Sequence, residues 1–316
     1  MTRPSGVSGE VHDSSADSPA DSPAGERNGA AAVNGAGPPG VAEAAAPPVR
    51  RRRRRRFLLL WQLLVLVVIV GGWQLAIVVF DISPVVLASP LDVWQSLWSG
   101  FTQPLESPAA WYGSILDTLQ EAMGGLLVGC VCGVVVAALL AEFAGAWAVL
   151  APYIVAMQVT PKVAIAPLFL LLLGPGYLPK FTIVALLTFF PMLVNARSGF
   201  QLVPAERLDI VRALGGSRWQ VFWHVKLRSG LPMIFAGLNV AVVFSLTGAV
   251  VGEFATGGDG LGGRVQIYTT VFDQAGVFAA LVLLTLIGVV LFLLVRIVER
   301  RLLFWAEERS TDVVGA

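Results

Sequence analysis

Histidine and cysteine are almost missing from this chain. Two histidines, His12 and His224, and two cysteines, Cys130 and Cys132, stand in 316 residues, so a histidine metal centre or a Ser-His-Asp triad has almost no material. The cysteines share one apolar run, LLVGCVCGVVVAALLA, with neither zinc spacing nor a second thiol pair, and read as small packing residues. Charge is scarce as well: Asp, Glu, Lys and Arg make up 14% of the chain, against roughly 25% in soluble domains. No phosphate-binding loop occurs. GPGYLPKFT, residues 174–182, lacks the second glycine that G-x-x-x-x-G-K-[ST] needs before its lysine. GGDGLGG, residues 257–263, has no soluble strand before it and no βαβ unit after it, and reads as a flexible outer loop rather than a dinucleotide site. The expectation is a chain that is no enzyme by itself and holds no metal or cofactor. Its energy must come from elsewhere.

What is abundant is apolar. Hydrophobic residues make up 56% of the chain and its mean hydropathy is +0.74, with apolar blocks approaching bilayer length. The expected fold is an all-α polytopic membrane protein. Residues 1–49 hold almost no large apolar side chain and cannot offset the entropy of ordering, so they read as a disordered tail. Seven arginines follow, at 50–56, and run straight into FLLLWQLLVLVVIVGGWQLAIVVF, residues 57–80, the first expected span. A twin-arginine export signal would also place RR before FL, but this apolar run is long and more spans follow. Nucleic-acid binding is set aside because arginines abutting a span are better explained as a topological anchor beside anionic lipid.

Five further spans are expected, at about 115–142, 148–173, 180–200, 231–251 and 275–298, all within a domain of residues 57–305 that precedes a short tail at 306–316. The third is interrupted by TPKVAIAP at 160–167. SPLDVWQSLWSGF carries Leu91, Trp94, Leu97 and Trp98 at helical spacing, which suits a short helix in the membrane interface. Nineteen of the 22 Lys and Arg residues fall in the N-terminal stretch, at 197–228 or at 296–309. By the positive-inside rule those segments are cytosolic, giving six spans in the cell membrane with both termini in the cytosol.

The loop at 201–230 is the odd passage: ERLDIVRALGGSRWQVFWHVKL is basic, helix-prone and broken by two glycines. Pro204 suits a first helical turn, Glu206 and Asp209 lie near its N-terminus, and Gly215 supplies a left-handed stop. Ser217 with Gln220 has the form of a capping box for a second helix. That helix carries an aromatic stripe, Trp219, Phe222, Trp223 and Leu227, with Arg218 and Lys226 able to reach lipid headgroups. The first helix, bearing Leu208, Val211 and Leu214, is left projecting, and such a knob needs a partner.

The spacing DIVRALG, nine residues, VKL and then Pro232 resembles the EAA loop of binding-protein-dependent ABC transporter permeases, with the acidic position on Asp209 and the glycine on Gly215. Ile210 and Val211 stand where that family usually has alanines, and Arg228 where it usually has proline. The resemblance runs over residues 116–305. TPKVAIAPLFLLLLGPGYLPK, FFPMLVNARSGF, GLNVAVVFSLTGAVVGEF and the GLGG loop are similar to permeases of sulfonate, taurine, nitrate and thiamine-precursor uptake, PKVAIAP and GAVVGEF being closer to the thiamine-precursor or pyrimidine-type members. It implies that residues 204–216 form a coupling helix seated in a cleft of a separate cytosolic ATPase, through Asp209, Arg212, Ala213, Leu214 and Gly215. Only a short rigid helix can pass on such a motion. It also implies an extracytoplasmic solute-binding protein, a second permease copy in a homodimer, and contact with membrane lipid but not nucleic acid. An ATP-independent secondary transporter or channel is the alternative; the inverted repeats with broken helices that would mark one are not visible.

Ionisable residues inside spans are candidates for a solute pathway, since charge in hydrocarbon costs roughly 2.5 to 3.5 kcal/mol on insertion scales. Asp117, Glu121, Lys162 and Glu253 are such residues, and Asn239 adds a neutral polar group. Each has a plainer reading: interfacial placement for the acids, snorkelling or a carboxylate partner for Lys162, and a helix-to-helix hydrogen bond for Asn239. Lys162, between Pro161 and Pro167, is favoured because a broken helix frees backbone groups to face a cavity.

Overall fold

The computed structural model describes residues 51–104, 107 and 109–304. The tails expected at 1–49 and 306–316, and Arg50 of the anchor, lie outside them. The chain falls into two units, Met1–Arg55 and Arg56–Ala316. The second unit holds the helical bundle.

Among the described residues every regular element is helical. Helix α1 (Arg51–Val79) begins within the arginine run, and its described apolar side chains face outward along most of its length; Trp73 packs on the bundle, 5.3 Å from the Phe278 ring. Helix α2 (Pro90–Thr102) starts at a capping box between Ser89 and Asp92 with proline in its first turn. It exposes Leu91, Trp94 and Trp98 on one face while Val93 and Gly100 are buried, as an interfacial helix should.

The core is three helices: α3 (Trp111–Glu142), α6 (Tyr177–Gln201) and α9 (Leu227–Thr256). Glycines set how closely they approach. A Cβ on Gly133 of α3 would sit 2.9 Å from both Met192 Cβ and the Phe189 carbonyl oxygen, and one on Gly248 would sit 2.9 Å from the Val184 backbone. Bare glycine therefore lets both neighbours press their backbones onto α6, where dispersion replaces the hydrophobic effect that lipid cannot supply. Leu126, Met192, Leu193, Phe200 and Val242 fill the seam.

The third expected span proves to be two pieces. Helix α4 (Ala144–Val159) and the run of a 3-10 turn with α5 (Ala166–Leu173) meet at an 81° bend. Pro161 cannot donate to α4 and pushes Thr160 out of the helical region, to ψ 130°. Among the described residues, five unbroken helices are thus long and apolar enough to cross a membrane, and this bent pair makes the sixth candidate.

After α6 the chain forms α7 (Ala205–Ala213), then α8 (Arg218–Val221) and a π turn at Phe222–Lys226 that leads into α9. From Arg218 to Thr256 these form one helix of 39 residues, so the second loop helix and the fifth span are continuous rather than separate. The GGDGLGG segment also departs from expectation: it turns into α10 (Leu261–Thr270) with Leu261, Gly262 and Gly263 buried. Helix α11 (Gln274–Leu302) closes the bundle, packing through Ala279, Ala280 and Leu283 on Trp111 and Leu261.

Candidate functional site

Two clusters at opposite ends of the bundle concentrate the polar chemistry. At one end stands α7. Its C-terminal turn is a Schellman motif: Gly215 takes φ +79°, the Gly216 amide donates to the Val211 carbonyl and the Gly215 amide to that of Arg212, both at 2.9 Å. Ser217 then accepts from the Gln220 amide while its own amide donates to Gln220 Oε1 at 2.8 Å, the expected capping box. Two helices are thereby fixed on either side of a two-residue corner.

No residue of α7 is buried. Asp209, Arg212, Ala213, Leu214 and Gly215 share its exposed last turn and corner; Leu214 is 83% exposed, and Asp209 meets Arg212 at 3.4 Å. Beneath the helix lies a cavity of about 730 Å³ lined by Arg207, Ile210, Val211, His224 and Arg228 among others. In α8 and the π turn, Trp219 and Trp223 stay exposed and pack on each other, whereas Phe222 turns inward to Phe200. Lys226 pairs with Glu142, the last residue of α3.

At the other end, α3, α6, α9 and α10 meet around buried charge. Glu253 is 0% exposed. Its Oε1 accepts from Thr118 Oγ1 at 2.6 Å and its Oε2 from the amides of Gly262 and Gly263. Thr118 Oγ1 in turn accepts from the Leu261 amide at 2.8 Å. The N–H groups of the first three residues of α10 are thus satisfied, that of Leu261 by the Thr118 hydroxyl and those of Gly262 and Gly263 by a carboxylate at the positive end of the helix dipole. Beside it, Lys180 and Glu121 form a buried ion pair at 2.7 Å, and Glu121 Oε2 has no hydrogen-bond partner. Arg264 of α10 donates to Ser114 Oγ and to the Ala110 carbonyl, each at 2.6 Å, which fastens α10 to the start of α3.

The five pathway candidates do not form one line. Glu121 and Glu253 are in this network, and Asp117 accepts from the Tyr177 hydroxyl on the rim of an adjoining cavity of about 230 Å³ that Lys180 and Asp259 also line. Asn239 donates to Glu299 of α11 at 3.0 Å, a bond between helices. Lys162 sits at the break of the bent pair, where its ammonium donates to the Gln158 carbonyl at the end of α4 and lies 5.0 Å over the Phe190 ring. Thr118, Lys180 and Arg264 carry no local signal of this network, because their partners lie far away in sequence.

Comparison with known proteins identifies the family. A family model described as binding-protein-dependent transport system inner membrane component matches residues 125–304. The riboflavin transport system permease protein of Chloroflexus aurantiacus is 34% identical, covering 74% of this chain and 85% of the relative. The formylaminopyrimidine transport permease protein of Halalkalibacterium halodurans is 30% identical, covering 74% and 94%. The taurine transport system permease protein of Escherichia coli is 27% identical, covering 75% and 86%. Among solved structures, the crystal structure of an amino acid ABC transporter with histidines matches with a TM-score of 0.50 at 19% identity, over 60% of this chain and 93% of that one, a likeness of fold.

Proposed function

The chain belongs to the binding-protein-dependent ABC transporter permeases, multi-pass proteins of the inner membrane that work with an ATPase and a solute-binding protein, and from that membership we propose that it is the membrane subunit of an importer driven through α7. The observation that carries the reading is the shape of α7: a nine-residue helix stopped by a Schellman corner, with none of its residues buried by the chain itself. A short hydrogen-bonded helix transmits displacement, and its bare apolar tip, Ile210 and Leu214, offers a partner something to grip.

In this reading the α7 end faces the cytosol, as the placement of Lys and Arg favours, and both termini lie on that side. Two copies of the chain act with two ATPases. Asp209, Arg212, Ala213, Leu214 and Gly215 form the contact. Lys162, at the break of the bent pair, and Asp117, on the cavity rim, line the solute route, while Glu121 and Glu253 hold together the end through which solute enters. Asn239 keeps α9 and α11 in register. The solute is a small polar nitrogen heterocycle of pyrimidine or flavin type, a choice supported by the named solutes of the Chloroflexus and Halalkalibacterium relatives.

Uptake into proteoliposomes, with the cognate binding protein supplied and the ATPase present or left out, tests the proposal. Uptake that needs the ATPase supports it; uptake by the permease alone sinks it in favour of a secondary transporter. Thermal-shift screening of the binding protein against pyrimidines, flavins, sulfonates and nitrate tests the solute class separately.

A further inference from the structure

We propose that a bilayer phospholipid of net negative charge docks where α3 ends and α8 begins, with its phosphate among Arg212, Arg218 and Lys226 and an acyl chain along Leu139, Phe143 and Trp219. Two adjoining cavities carry the inference. One, of about 330 Å³, is lined by Arg212, Gly216, Arg218 and Lys226 with Glu142; the other, of about 240 Å³, is lined by Leu139, Phe143, Trp219 and Phe222. Both include Glu142 and Arg218, so they form one slot with a basic half and an apolar half.

Charge decides what the basic half wants. Three cations face one carboxylate there, and Glu142 is already taken by Lys226. Asp209 reaches Arg212 at 3.4 Å. The Arg218 guanidinium has no hydrogen bond or ion pair with any described residue. An excess of positive charge therefore remains for an anion. A soluble anion would use the basic half alone and leave the apolar half empty, whereas a lipid fills both, at the point where two membrane-length helices end together and tryptophan marks the interface. Of the residues proposed for the ATPase contact, Arg212 lines the slot, whereas Leu214 and its apolar neighbour Ile210 do not, so a partner gripping that tip leaves Arg218 and Lys226 to the lipid. The lipid would bear on Gly216, tying the corner between α7 and α8 to the leaflet.

The test uses the full chain in phosphatidylcholine nanodiscs containing brominated phosphatidylglycerol or brominated phosphatidylcholine, reading the tryptophan quenching that disappears in Trp219→Phe. Preference for phosphatidylglycerol is expected, falling about fivefold in Arg218→Gln, the weight of one surface cation near anionic lipid. Arg228→Gln, a basic residue at the same end outside the slot, is expected to leave it unchanged. Equal quenching by the two lipids, an unaltered preference in Arg218→Gln, or an equal loss in Arg228→Gln would overturn the proposal. So would displacement of the quenching lipid by inorganic phosphate, which would make this a soluble-anion site.

Discussion

Both ends of the bundle turn the chain on a glycine pair or cluster and start a new helix, yet they use glycine for opposite reasons. At Gly215 the obstacle to a side chain is conformation: φ is +79° and nothing lies within 4 Å of where a Cβ would be. At Gly262 it is space: φ is ordinary, but a Cβ would fall 2.6 Å from Glu253 Oε2 and 3.1 Å from the Val250 backbone. The first corner is open and touches little; the second is packed solid around a buried carboxylate. One corner is therefore held by its own backbone and the other by its neighbours.

That contrast can be broken by measurement. The largest effect is expected at Glu253→Ala, which strips the Gly262 and Gly263 amides and the Thr118 hydroxyl of their acceptor, and should cost about 3–5 kcal/mol of stability, read as a large fall in Tm in detergent. Lys180→Met comes next. It leaves Glu121 buried without its cation and should cost about 3 kcal/mol, with most of that recovered in the double variant Lys180→Met/Glu121→Leu, where no charge is stranded; a double variant as unstable as the single would show that packing, not charge, holds this end. Gly262→Ala should lose about 1–3 kcal/mol by overpacking against Glu253. Smallest is Ser217→Ala at the open corner, about 1 kcal/mol for a lost cap. Should that last substitution destabilise the protein as much as Glu253→Ala, the two ends would not differ as described.

Much of the open end could be read from sequence because its determinants are local. Gly215 and the Ser217–Gln220 pair act within a few residues, and the capping box and left-handed turn fall where that spacing places them. Spans were legible for the same reason, being continuous apolar runs. The closed end was not. Thr118 and Glu253 are 135 positions apart, Glu121 and Lys180 59 apart, and nothing in either neighbourhood announces the other. Helix α10 was hidden by its own glycines, poor helix formers whose use is the close approach they allow to Glu253. The joined α8 and α9 escaped notice because apolarity begins near Leu231, whereas backbone hydrogen bonding passes through the basic stretch and past Pro232 without regard to it.

Whether α7 and its corner carry motion from the ATPase into the bundle is measured most directly as solute taken up per ATP hydrolysed by the reconstituted transporter bearing Gly215→Val. A β-branched residue cannot hold the left-handed corner without roughly 1–2 kcal/mol of strain, so the account predicts a collapse of that ratio while hydrolysis continues and Tm falls only slightly. An unchanged ratio in a variant that folds and assembles would contradict it.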